Sequence, residues 1–221
     1  IMNIRYPIYE GVYRILTEKF HADLRESYRR EREQEKERYH NEIIGYHGSE
    51  EGLETLLGYQ LFSIGNRADS AALVYQVDYV LDGYVKKAGT NFVLSVGRLI
   101  GSQPELKGEQ RLRKEDIYWE MPRCYQWDIT VNLPEGYRIS PEGLERLNVK
   151  VENDCGAFIV QATTEDGTLR IKAEKRINHK TEPVANWEKL LEITDAANSY
   201  EALSIVFQAT INPPTSPTTG Y

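Results

Sequence analysis

The sequence predicts a mainly β chain of the α+β class, with helices first and an antiparallel β-sandwich of immunoglobulin-like size towards its C-terminus. Three observations carry that expectation. Apolar residues recur every four positions from Leu16 to Tyr28, which is close to the helical period. They then alternate with polar neighbours over 125–133, the strand period, and a similar alternation runs over 72–81. Asp166-Gly167 separates two further β-like runs, the signature of a tight hairpin.

In chain order, Leu16, Phe20, Leu24 and Tyr28 form the apolar stripe of an amphipathic helix opening near Tyr13. That helix continues into "RREREQEKER", residues 29–38. The run has no apolar side chain but offers the opposite-charge pairs Arg30–Glu33, Arg32–Glu35, Glu33–Lys36 and Glu35–Arg38, each worth about 0.2–0.5 kcal/mol. Because its charges alternate and nearly cancel, it reads as a solvated helix rather than a docking arm, ending near Gly45 or Gly48. Ser49, with Glu51 and Glu54 close behind it, then predicts a short second helix through "SEEGLETLLGYQLF". After "GNRAD" the period becomes two. Leu73, Tyr75, Val77, Tyr79 and Leu81 share one strand face, Asp82-Gly83 supplies a turn, and "NFVLSVG" is the next strand. "SQPELKGEQRLRKED" reads as a long polar loop.

Tyr125, Trp127, Ile129, Val131 and Leu133 give the half-buried strand of an antiparallel sheet. "AFIVQATT" and "TLRIKAEKRI" flank the Asp166-Gly167 turn, "LSIVF" at 203–207 closes the sheet, and Trp187, Leu190 and Leu191 predict a short helix covering an edge or end of it. In "LPEGYRIS", Pro134 is expected at the second and Gly136 at the fourth position of a turn from Leu133. The expected divisions are a helical segment at 1–65, a β-rich linking segment at 66–118, the sandwich at 119–208 and a Pro/Thr-rich mobile tail at 209–221.

At 221 residues, two modest units are expected, and 40% hydrophobic with 15 Tyr is the composition of a folding chain. A net charge of −7 leaves no footprint for nucleic acid or an anionic membrane surface. No stretch approaches the roughly 18 uninterrupted apolar residues of a spanning helix. An Ile at position 1, without a signal-peptide pattern behind it, suggests a processed chain or an excised fragment. Cys124 and Cys155 lack C-x-x-C spacing, and two thiols that do not pair are expected over a disulfide.

Chemistry is sparse. Cys155, His179 and Asp195 stand in the order cysteine, histidine, acid, which fits a thiol triad. Their context argues the other way, since Cys155 lies among the turn residues of "VENDCGAFIV" instead of at a helix N-terminus, and His179 lies in the polar turn "NHKTEPV". His21, His40 and His47 include no i,i+4 pair, and no GxxxxGK[ST], GxGxxG, HExxH or GxSxG occurs. No catalytic, cofactor-binding or metal-binding residue is therefore predicted, and no cofactor. Trp119, Trp127 and Tyr125 would suit a platform for sugar or peptide if exposed, but core packing is the commoner fate on a strand with this alternation.

Five pieces in order carry a resemblance. They are Leu133, Pro134, Gly136 and Tyr137; Asn153, Gly156 and Phe158; the basic hairpin strand 168–177; Trp187; and Ile205, Val206 and Phe207. Across roughly residues 70–208 the pattern resembles the C-terminal β-rich domain of bacterial transglutaminase-like proteins, chiefly from Bacteroidetes. The resemblance implies a non-catalytic accessory or interaction module that follows a thiol-enzyme domain, with that upstream domain or another protein as partner. It also implies a parent exported to the periplasm or cell envelope. The thiol domain's own motifs match nothing here, and Cys155 departs from the pattern. The alternative expectation is a carbohydrate- or peptide-binding sandwich acting through exposed aromatics.

Overall fold

The computed structural model describes residues 53–66, 71–81, 83–119 and 121–210, together with Asn41 and Gly45. The amphipathic helix opening near Tyr13 and the charged run 29–38 lie outside the described residues; Asn41 and Gly45, where that helix is expected to end, are helical and exposed. In order, the strands are β1 (Leu53–Asn66), β2 (Ala71–Leu81), β3 (Val85–Ala88), β4 (Asn91–Leu94), β5 (Ile117–Tyr118), β6 (Arg123–Asn132) and β7 (Tyr137–Arg138). Helix α1 (Pro141–Glu145) precedes β8 (Val149–Asn153), β9 (Gly156–Glu165), β10 (Thr168–Ile177) and β11 (Thr181–Glu182), and helix α2 (Trp187–Glu201) precedes β12 (Ile205–Ala209). Among the described residues no helix is long and apolar enough to cross a membrane.

Where a second helix is expected after Ser49, the structure has β1, paired antiparallel with β2 from Leu53↔Leu81 to Asn66↔Ala71. Gly58 would stand inside that helix at a cost of about 1 kcal/mol. As a strand, the segment instead satisfies the backbone of the alternating run 71–81 across a short connection. Gly58 pairs with Asp78, and a Cβ there would lie 3.2 Å from an Asp78 carboxylate oxygen.

The core joins two four-stranded sheets and a helix. The first sheet runs β6–β10–β9–β8, every pair antiparallel. Its inner face carries Trp127, Ile129 and Val131 of β6, Leu169, Ile171 and Ala173 of β10, and Phe158, Val160 and Ala162 of β9, all buried. The intervening Gln126, Asp128, Lys172, Arg170 and Gln161 are exposed, which is the predicted one-face pattern. The β9–β10 hairpin closes through Asp166 (φ 47°) and Gly167 (φ 70°), the two left-handed positions that a two-residue turn of matching twist requires.

The second sheet runs β3–β4–β12–β7, so residues 85–94 of the segment read as linking contribute to the same core as 119–208. Leu94, Ile205 and Phe207 from it are buried with the first sheet's inner face. Lys86 and Lys87 lie on the exposed edge strand β3, where charge discourages further strand pairing.

Helix α2 packs against β8 and β9 with Ile193, Ala197 and Tyr200, and the Tyr200 ring meets Phe158 edge-on at 5.8 Å between centroids. It has 15 residues, longer than the short helix expected from three apolar positions. Helix α1 was not foreseen. Pro141 at its first turn and Ser140 Oγ, which accepts from Gly143 N at 3.0 Å, account for it.

The Pro134 turn is shifted by one residue from expectation. Tyr137 N donates to Pro134 O at 3.1 Å, so Pro134 opens the turn and Gly136, at φ 79°, occupies its third position, where a left-handed residue is needed. The chain thereby leaves the first sheet at β6 and enters the second at β7, where Tyr137 and Arg138 pair with Ala209 and Gln208. Residues 209 and 210, expected in the mobile tail, are held to the second sheet, and 211–221 lie outside the described residues. Ala209 ends β12, and Thr210 donates to Gly136 O from both its N (2.7 Å) and its Oγ1 (2.8 Å).

Candidate functional site

The β8–β9 hairpin turns through Asp154 and Cys155, between the paired residues Asn153 and Gly156. Asn153 shapes it. Its Oδ1 accepts from Cys155 N at 3.0 Å, and its Nδ2 donates to Lys189 O at 3.0 Å, tying the turn to the first turns of α2. Gly156 is required because a Cβ there would meet Arg176 O at 2.1 Å. Cys155 is thus placed in a turn, as the sequence indicated, and its side chain is wholly buried beside Ile117 and Leu190, with Trp119, Ile177 and Trp187 packed around them.

The thiol faces a carboxylate that the sequence did not single out. Glu182 is only 2% exposed and is the sole buried charged residue among those described. Its Oε1 lies 2.5 Å from His179 Nδ1, its Oε2 accepts from Asn186 Nδ2 at 2.8 Å, and the Cys155 thiol hydrogen-bonds it as well. Burial pushes the Glu182 carboxyl up, but the Asn186 and His179 hydrogen bonds outweigh it and hold the group below its ordinary range. For Cys155, burial and the Glu182 charge act together and push the thiol up. The acid therefore stands between histidine and cysteine and favours the protonated thiol, the opposite of the activation a nucleophile needs.

Asp195 is elsewhere in this network. Arg111 grips it through two parallel bonds, Nη1 to Oδ1 at 2.8 Å and Nη2 to Oδ2 at 2.7 Å, and that hydrogen bonding lowers the Asp195 carboxyl and raises Arg111. Among the described residues no hydrogen bond joins Cys155 to His179 or His179 to Asp195, so the three residues in triad order are not assembled as a triad. Trp187 Nε1 donates to Arg111 O at 2.8 Å, and the Arg113 guanidinium lies 5.4 Å from the Trp187 ring centroid. Lys189 pairs with Asp154 at 2.7 Å across the mouth of the turn.

The aromatic residues divide. Trp127 is 5% exposed and faces the core, with Tyr125 stacked on it at 6.0 Å, so neither strand residue forms an open platform. Trp119 is half-buried against Cys155 and Leu190. The exposed large apolar side chains of this region are Leu112 (74%) and Tyr118 (63%), from the loop and strand that lead into Ile117 and Trp119. Cys124 is exposed on β6 and Cys155 is buried, and no disulfide joins them. Among the described residues no group of His, Cys, Asp and Glu has the arrangement of a metal site.

Nothing local in "NHKTEPV" marks Glu182 for burial except its place one residue before Pro183, which favours the extended backbone that lets Thr181 face out and Glu182 face in. Residues 97–207, just over half of the chain, match the family described as a domain of unknown function with solved-structure structure, DUF3858. No curated protein and no solved structure matches the chain.

Proposed function

We propose, from the premise that the chain belongs to the DUF3858 family, that it is a non-catalytic accessory module of a transglutaminase-like multidomain protein. It packs beside a preceding thiol-enzyme domain and positions that domain, its substrate or a partner. The parent is exported to a bacterial envelope, in keeping with the resemblance of residues 70–208 to modules of such proteins.

The observation that carries the reading is what the pattern residues do. Pro134 and Gly136 make the turn between sheets, Asn153 and Gly156 make the β8–β9 turn, Phe158 and Phe207 fill the core, and Trp187 bonds the loop at Arg111. Each is used up in building the fold. The Cys155 thiol is pushed up, first by burial and then by the Glu182 charge. Among the exposed large apolar side chains, Leu112 and Tyr118 lie next to this cluster and are the kind an interface covers.

The test is deletion of this module from the parent. The thiol domain's cysteine is expected to keep its reactivity towards a small electrophile, while turnover of a protein substrate or thermal stability of the parent falls. A loss of amidase or acyl-transfer activity on Cys155→Ser alone would overturn the proposal, because the reaction would then belong to this module.

A further inference from the structure

We propose that the outer edge of β6 is the surface through which two copies of this chain pair, strand to strand, into a closed antiparallel dimer.

Strand β6 ends the first sheet, with β10 on one side of it and, among the described residues, no strand on the other. Which of its backbone groups face that open side follows from its ladder. Leu133 N donates to Gly167 O at 2.8 Å, and the register continues from that pair through Asn132↔Thr168 to Arg123↔Ile177. Opposed residues of an antiparallel ladder alternate between exchanging hydrogen bonds and exchanging none. Val131, Ile129, Trp127 and Tyr125 therefore spend their N–H and C=O groups on β10, whereas Gln126, Asp128, Thr130 and Asn132 point theirs outward. Among the described residues none of those outward groups has a hydrogen-bond partner.

Edges are normally blunted by shortness, lysine, proline, a bulge or a covering element. The other edges of the two core sheets follow that rule. Strand β3 has four exposed residues that include Lys86 and Lys87, β7 is two residues long, and β8 has five residues with α2 packed against it. Strand β6 does not follow it. It runs for ten residues in an unbroken register, and neither Pro nor Lys stands in it. An edge this long and regular is built to be paired.

A second β6 is the occupant the edge itself specifies. Two identical edges related by a two-fold axis satisfy each other's outward groups and leave no edge for a third chain, so the assembly closes. All four outward residues are used when Gln126 faces Asn132 and Asp128 faces Thr130, with Ile129 beside its own copy on the axis. This register also keeps the Asp128 carboxylates apart, whereas the neighbouring one would set Asp128 against Asp128 and oppose like charges. On the inner face it sets Trp127 against Val131, an aromatic and β-branched pair of the kind that stabilises adjacent strands. Tyr125, only half-buried at the rim of the sheet, then lies against Leu133.

The experiment is sedimentation equilibrium of the full chain over a series of concentrations, and the expected result is a monomer–dimer equilibrium. Thr130→Pro removes an outward N–H that β10 does not use, so the circular dichroism spectrum should persist while the dimer weakens at least tenfold. Two further variants keep the backbone donor and test the register by charge. Thr130→Asp sets a like charge against Asp128 and should weaken the dimer about twofold or more, and Thr130→Lys should tighten it by a similar factor. A chain that stays monomeric at every concentration overturns the proposal. So does a dimer that Thr130→Pro leaves intact, or one that the Asp and Lys substitutions shift in the same direction.

Discussion

Gly97→Ala tests how tightly the two halves of the core are seated. Gly97 lies in the short 3-10 segment Val96–Ile100, whose Val96, Leu99 and Ile100 are buried. A Cβ added at Gly97 would stand 1.9 Å from Tyr200 O and 2.5 Å from Glu201 O, well inside the 3.0 Å that real Cβ contacts respect. Both oxygens belong to the backbone at the end of α2, so no rotamer change relieves the clash and the helix end must retreat by more than an ångström. Overpacking of this kind costs about 1–3 kcal/mol. The same retreat stretches the Gly97 N to Leu203 O bond, 3.0 Å in the structure, which is worth about 1 kcal/mol. At roughly 2–4 °C per kcal/mol for a chain of this size, the melting temperature should fall by about 5–15 °C. Gly101→Ala is the matched control. Nothing lies within 4 Å of its added Cβ, and the cost there is the φ of 73°, about 1–2 kcal/mol of left-handed strain. Circular dichroism melts of the three proteins give the answer. If Gly97→Ala melts with or above Gly101→Ala, the close approach of the 3-10 segment to α2 is wrong.

Thiol titration with a chromogenic disulfide should find one fast thiol in the native chain, Cys124, and two in denaturant. Cys155 is buried and its thiol is pushed up by burial and by Glu182, so two fast native thiols would contradict the cluster. Glu182→Gln should lower stability at neutral pH by about 1.5–3 kcal/mol, the range for hydrogen bonds to a charged group. Because the folded carboxyl is held below its ordinary range, its contribution is present above the unfolded value of about 4.3 and fades as pH falls through the folded value. Wild type and Glu182→Gln should therefore converge in acid denaturation as pH falls from the unfolded value through the folded one, and a gap that persists to the acid end of the titration would remove the role given to the charge. Asp195→Asn should cost under about 1 kcal/mol in urea unfolding, since both partners of the Arg111 pair are more than a third exposed, at 38% and 45%. A change in Cys155 reactivity in that variant would mean that Asp195 does reach the thiol.

The strands that were legible are those whose burial is decided by one face. Trp127, Ile129 and Val131 alternate with exposed Gln126 and Asp128, so a period of two is visible without any knowledge of partners. The β9–β10 hairpin was legible because Asp166-Gly167 names its turn. β1 was not, because "LETLLGYQLF" carries apolar residues at both periods and its pairing with 71–81 decides between them. The Pro134 turn was located but shifted, since Pro at the first or second position fits the same five letters, and only the Tyr137 N to Pro134 O bond selects one. The site was least legible. Cys155 could be placed in a turn from Asn-Asp and Gly, but Glu182 owes its burial to the Ile117–Cys155–Leu190 cluster, assembled from segments far apart in sequence. Asp195 joins the triad order by sequence alone, and Arg111, which holds it, lies in a stretch whose composition reads as loop.

The central claim, an accessory module that docks on a thiol-enzyme domain, is tested most directly by titrating this chain into a transglutaminase-like thiol domain from the same parent, supplied as a separate polypeptide, in a calorimeter. The account predicts saturable binding that weakens at least tenfold when Leu112→Glu and Tyr118→Glu are combined, a loss of about 1.4 kcal/mol or more. Absence of binding by the wild-type chain, or binding that the double substitution leaves unchanged, would contradict it.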